Sequence, residues 1–218
     1  MKNSGLKRLS SLTGALSAVL MISGALMFGV FDYLPSADRL QVIFGENPVR
    51  VSSAGYIYTL SAFFLIWFAG NLYHVLHKRE GKADQFAITA FGGGLGSGIA
   101  LLAGCSTIIA AGARAGVPDR ISSAEAITFY DFYSHILGQM FAITLAVFIG
   151  SSGIVFMRTG LFPAWVGWLS VIIAFGLLTP VGYMVITLSF LWLLCISVWL
   201  YIRGDANVDN ESIPHMST

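Results

Sequence analysis

The chain alternates between long apolar runs and short polar connections. Crossing about 30 Å of hydrocarbon takes roughly 20 helical residues. Runs of that order fall near 11–31, 55–77, 86–113, 124–151, 163–179 and 182–202. The pattern predicts an all-α protein, a polytopic transmembrane helix bundle of six spans. It forms a single domain over 1–203, followed by a polar tail over 204–218 that reads as disordered. The first run follows Lys2, Lys7 and Arg8 as a signal peptide would, but Leu12 to Phe31 is too long for a cleaved apolar core and no A-x-A site follows. It reads as a retained helix. The last two runs are separated only by Thr179-Pro180, with Gly176 and Gly182 on either side. Pro180 lacks an amide hydrogen and pushes Thr179 out of the helical region, so the pair predicts a tight hairpin.

Positive residues orient the spans. Eight (Lys2, Lys7, Arg8, Lys78, Arg79, Lys82, Arg158, Arg203) fall on one side and four (Arg39, Arg50, Arg114, Arg120) on the other. The richer side faces the cytoplasm by the positive-inside rule, giving N-in, C-in. Trp165, Trp168, Trp199 and Tyr201 then form an inner aromatic belt, with Tyr56, Tyr58, Tyr130 and Tyr133 in an outer one. Residues 32–54 make the longest external loop. Within it, Leu40 to Phe44 reads as a short helix lying on the outer membrane face. Asp84 is the expected N-cap of the third span, and Ser122 with Glu125 forms an S-x-x-E capping box for the fourth.

Composition supports the membrane reading. Of 218 residues 56% are hydrophobic and 11% charged, and mean hydropathy is +0.77. Soluble domains carry about 25% charged residues. A net charge of +1 offers no basic stripe for a nucleic acid. The implied partners are the lipid bilayer and other membrane subunits. Cys105 and Cys195 fall at different depths on different helices, which argues against a disulfide.

Gly92-Gly93-Gly94-Leu95-Gly96-Ser97-Gly98 lacks both the G-K-[ST] ending and the preceding strand of a phosphate-binding loop. On a helix, Ala90, Gly93, Ser97, Ala100, Gly104, Thr107 and Ala111 share a face that permits close backbone approach. Leu95, Ile99, Leu102 and Ile109 fall on another, directed toward lipid. A substitution such as Gly104→Leu is therefore expected to lower stability.

Ionisable residues within spans are functional candidates. Asp131, His135 and Gln139 recur every four residues on the fourth helix. Measured at about 1.5 Å per residue from Ser122, Asp131 lies roughly 13 Å in and His135 about 20 Å. Arg114 lies at the same end of the third span and is the expected partner of Asp131. A secondary group, Asn71, His74 and His77, sits at the cytoplasmic end of the second helix. No third ligand accompanies its histidines, so neither a metal nor a cofactor is implied. Gly150-Ser151-Ser152-Gly153 matches the G-x-S-G of rhomboid proteases, which need a histidine on a later helix. None is present in the last two spans.

The run Arg158-Thr159-Gly160-Leu161-Phe162-Pro163-Ala164-Trp165-Val166-Gly167-Trp168, followed by an apolar hairpin ending in Trp199 and Arg203, resembles a group of bacterial six-helix membrane proteins catalogued as a domain of unknown function. The resemblance covers mainly residues 155–203. It implies a bacterial inner-membrane location and carries over no catalytic residue. Two functions are expected from these features: an accessory, assembly or regulatory membrane subunit without catalytic machinery, or a small transporter or lipid-handling protein using Arg114, Asp131, His135 and Gln139.

Overall fold

The structure, a computed structural model, describes residues 10–29, 35–81, 85–117, 121–179 and 182–203. Asp84, Pro180 and the tail from 204, for which roles were expected, lie outside them. Among the described residues the chain is all helix, with no strand. The helices are α1 (Thr13–Phe28), α2 (Ala37–Glu46), α3 (Pro48–Glu80), α4 (Gln85–Ala115), α5 (Ser123–Thr159), α6 (Ala164–Leu177) and α7 (Gly182–Arg203). Four stretches are long and apolar enough to cross a membrane: Pro48–Glu80, Gln85–Ala115, Ser123–Thr159 and, within α7, Met184–Ile202. Helices α1 and α6 are shorter but also apolar.

Small residues set the packing of the central helices, on two faces of α4. On the expected face, Gly93, Ser97, Ala100, Gly104 and Ala111 are buried and Thr107 is half-buried. A Cβ added at Gly93 would lie 2.5 Å from the Phe148 amide nitrogen of α5. Ser97 bonds the Gly93 carbonyl at 2.8 Å and reaches Thr144 Oγ1 of α5 at 3.2 Å. The second face is turned to α3. A Cβ at Gly94 would lie 2.5 Å from that of Ala69, and Gly98 and Gly112 are closed off by Ile66 and Ser52. Ile109, expected toward lipid, is instead pressed on Gly55 of α3, where an added Cβ would meet its Cγ1 at 2.5 Å. Ile99 and Leu102 are exposed as expected. Gly104 is not a tight position, since the nearest atom to an added Cβ is Ile136 Cγ2 at 3.4 Å.

The 32–54 loop is half helix. Pro48, with no amide hydrogen to lose, opens α3 at its first position and extends the expected 55–77 span by two turns. The short helix over Leu40–Phe44 exists as α2, capped by Ser36. Its apolar side is packed against the rest of the bundle. Leu40 and Phe44 are fully buried, and Phe44 meets Phe28 at 6.2 Å. Ser123 donates to Gln41 Oε1 and Gln41 donates to the Ile121 carbonyl, tying α2 to the start of α5. The Ser122–Glu125 capping box is present.

Three tyrosines expected in an outer belt are inside. Tyr58, Tyr130 and Tyr133 are at most 9% exposed. Tyr133 stacks edge-on against Phe28 at 5.4 Å. Tyr56, Trp165 and Trp168 do face outward.

Turns close with ordinary chemistry. Gly29 ends α1 in the left-handed region, φ +72°, where a side chain would be strained. Arg50 of α3 covers the exposed carbonyls there, donating to Met27 at 2.6 Å and Leu26 at 3.4 Å. At the other break, Gly182 N–H bonds Thr179 O, and Gly176 is packed under Val185, so α6 and α7 form the expected hairpin.

Polar side chains stitch the outer helices on. Ser17 and Ser61 bond each other's backbone carbonyls at 3.0 and 2.8 Å, fully buried between α1 and α3. Asn71 of α3 accepts from Ser10 and donates to Ser11. Ser197 of α7 accepts from the Ala15 amide at 2.9 Å and donates to the Ser11 carbonyl, capping the start of α1 from another helix. Trp192 of α7 donates to Ser170 of α6 at 2.7 Å.

Candidate functional site

Helix α5 decides where the ionisable residues fall. It runs 37 residues without a break, about 55 Å, against about 30 Å of hydrocarbon. An additional residue is absorbed by a π-helical stretch, Ile136–Phe141. Such stretches occur often near functional sites, and this one directly follows His135.

Asp131, His135 and Gln139 are all exposed on the outward side of α5, while Tyr130 and Tyr133 turn inward. His135 Nδ1 is 2.7 Å from the Asp131 backbone carbonyl, a bond within one helix. Arg114, expected to pair with Asp131, is paired with Glu125. Its Nη2 donates to Glu125 Oε1 at 2.5 Å, almost two turns earlier. Glu125 is held in place by the Ser122 amide and hydroxyl, so the capping box presets this carboxylate for Arg114. The four candidates thus form a stripe on the side of the bundle instead of an enclosed site. Thr128 of α5 extends it, and small exposed residues of α4 (Ala103, Ser106, Ala110, Ala113) recur at three- and four-residue spacing near Arg114.

The secondary group divides. Asn71 turns inward to Ser10 and Ser11, whereas His74 and His77 are exposed. The His77 ring lies 5.5 Å from that of Tyr73. Among the described residues no three His, Cys, Asp or Glu side chains converge as a metal would need. Cys105 is buried and Cys195 exposed, each a free thiol. In the G-x-S-G segment, the Ser152 hydroxyl is fully buried and spent on the Phe148 carbonyl at 2.7 Å.

Sequence reasoning missed a charged collar at the opposite end of α5. The Glu80 side chain, in the last turn of α3, is 3% exposed. It accepts from the Ala87 amide in the first turn of α4 at 2.9 Å, where a carboxylate is favoured by the helix dipole. Its other oxygen has no hydrogen bond and faces Arg158 Nη1 at 3.6 Å. The Arg158 guanidinium also lies over the Phe86 ring, 5.5 Å from its centre. A lone Glu beside Lys78 and Arg79 gave no signal that it turns inward while they turn out.

The R-T-G-x-x-P-x-W-x-x-W pattern builds the turn after Arg158. Gly160 caps α5 at φ +64°, Pro163 precedes α6, and Phe162 is buried on Phe156 at 4.2 Å. Trp165 and Trp168 project outward from the first turns of α6.

A groove of about 310 Å³ opens between α5 and α6 above this turn. Its walls include Val147, Gly150 and Ile154 of α5 and Val171, Phe175 and Leu178 of α6, with Thr89 of α4 at one end. The Thr89 hydroxyl is turned back to the Gln85 carbonyl at 2.7 Å, so the lining is almost wholly apolar. Comparison of the chain with protein-family models, curated proteins and solved structures returned no match.

Proposed function

We propose that the chain is a six-span membrane protein, N-in and C-in, that works as an accessory, assembly or regulatory subunit by lateral contact with another membrane protein. The observation that carries this reading is the outward stripe of Thr128, Asp131, His135 and Gln139. The stripe starts at the outer edge of the hydrocarbon and continues along the end of α5 that projects past it, where it can be met by a partner helix, and polar groups between helices are one of the main sources of association in a bilayer. The exposed small residues of α4 beside it would admit a partner helix closely.

Two features support the topology. Ser11 and Asn71 meet Ser197 and Ser10 at one level, so the first and last helices begin and end at the same face, as an even number of crossings requires. The collar of Lys78, Arg79, Glu80 and Arg158 marks the headgroup level at that side. Measured from Arg158, about 30 Å of helix reaches residue 138 or so. Gln139 then sits at the outer edge of the hydrocarbon and Asp131 beyond it. This is shallower than a count from Ser122 suggests, because the start of α5 projects past the lipid. The bacterial inner membrane is the location that the resemblance of residues 155–203 implies.

The test is a photoreactive residue placed at His135 or, as a lipid-facing control, at Ile172, in native membranes. A protein adduct of one defined mass is expected at 135 and absent at 172. Lipid adducts alone at both positions would remove the basis for the proposal. A tag inserted at 181 should be accessible from outside; protection would reduce the count to five spans.

A further inference from the structure

The groove between α5 and α6 and the collar cation Arg158 belong to one another. Val147, Gly150, Ile154 and Arg158 follow at three- and four-residue spacings and share a face of α5. On α4, Phe86, which carries the guanidinium, is one turn from Thr89, which lines the groove. Two helices therefore place the same arginine at the same end of one apolar channel. From Val147 to Arg158 the wall is about 16 Å long. The arginine side chain is 55% exposed, although Glu80 and Phe86 already hold two of its sides. A guanidinium has five N–H donors, and Glu80 lies behind it, buried, so donors remain for an anion approaching from the membrane. Exposed Lys78 and Arg79 keep the collar positive despite Glu80.

We propose that this groove holds one acyl chain of an anionic glycerophospholipid, with its phosphate against Arg158. The apolar walls match the chain, and the cation at their end matches the headgroup in charge and in depth, since both mark the membrane boundary. Trp168, exposed one turn before Val171, flanks the same mouth. The inference is independent of the partner stripe and of which side of the membrane is cytoplasmic.

The full chain in detergent is titrated with phosphatidylglycerol, with phosphatidylcholine bearing the same chains, and with glycerol 3-phosphate. Native mass spectrometry and thermal unfolding are the readouts. One retained phosphatidylglycerol and a raised midpoint are expected, with phosphatidylcholine about tenfold weaker because it brings the same phosphate together with a choline cation that Arg158, Lys78 and Arg79 repel. Glycerol 3-phosphate alone should do nothing. Val147→Trp, which fills the groove from an exposed position, should abolish retention of both lipids without lowering the lipid-free midpoint. Glu80→Gln with Arg158→Gln removes the pair without stranding a buried charge, and should narrow the preference for phosphatidylglycerol. Equal retention of the two lipids by the wild type, or retention unchanged in Val147→Trp, would overturn the proposal. So would a dimer mass lost in that variant, which would make a second copy the occupant.

Discussion

Replacing Gly93 by alanine adds one methyl group at the closest approach of α4 and α5. That methyl would sit 2.5 Å from the Phe148 nitrogen, 2.9 Å from the Thr144 oxygen and 3.0 Å from the Phe148 Cα. All three are backbone atoms, so no side chain can swing aside. Comfortable carbon contacts need about 3.5–4.0 Å, which requires the helices to separate by about 1 Å. Phe148 is fully buried and touches Phe68 and Trp192 at 6.3 and 5.8 Å between ring centres. The displacement therefore spreads to α3 and α7. Overpacking of this kind costs about 1–3 kcal/mol, offset by about 1 kcal/mol of helix propensity gained over glycine. Gly104→Ala on the same helix gains the same propensity and meets only side chains at ordinary contact distance, Ile136 at 3.4 Å and Tyr133 at 3.7 Å. The two variants should differ by about 2 kcal/mol, roughly 4–8 °C in midpoint for a chain of this size. Thermal unfolding of wild type and both variants in one detergent, followed by tryptophan fluorescence, measures it. A Gly93→Ala midpoint at or above that of Gly104→Ala would refute the close approach.

Other outcomes follow from single contacts. Ser61→Ala breaks the reciprocal bonds with Ser17 and should lower stability by about 0.6–1.7 kcal/mol, the range for hydrogen bonds between membrane helices; denaturation in mixed micelles reads it. Glu80→Ala strips the cap from α4 and the partner from Arg158, and should cost about 1–2 kcal/mol, whereas Lys78→Ala nearby should cost little, as both variants' midpoints would reveal. Asp131→Asn and His135→Ala should leave the purified chain within about 0.5 kcal/mol of wild type while weakening the crosslink from this face. Trp192→Phe removes the bond to Ser170 and should cost about 0.5–1.5 kcal/mol, with Ser170→Ala in the same background adding almost nothing.

The all-helical fold was legible because hydrocarbon demands apolar length, and apolar length is written residue by residue. Helix ends were read where a local group enforces them, as with Ser122 and Glu125. They were misjudged where a helix continues past its apolar run: Pro48 looked like a loop residue and proved to be the first residue of α3. One packing face of α4 was visible in its glycine spacing. The second was hidden because Ile109 looks lipid-facing until Gly55 on another helix makes room for it. The tyrosines are misleading for a similar reason. A phenol suits an interface, but α2 folds back over them and brings Phe44 and Phe28 into the same cluster. At the candidate site, spacing correctly put Asp131, His135 and Gln139 on one face. It could not say whether that face turned in or out, because the answer depends on the tyrosines opposite. Glu80 was missed because its neighbours in sequence are exposed cations and its partners, Ala87 and Arg158, lie on other helices.

The serine at 197 ties the end of the chain to its beginning. It supplies the acceptor for the Ala15 amide and the donor for the Ser11 carbonyl, standing between two groups that an uninterrupted helix would bond to each other, so α7 anchors the start of α1. Until α7 is made those two groups can close on each other, and the first helix lacks this anchor to the rest of the bundle. Ribosome-stalled intermediates lacking α7 should thus be the species from which quality-control proteases extract this protein. Joining residue 203 to residue 10 by a short linker, with new ends cut elsewhere, should give a chain that assembles its first helix earlier.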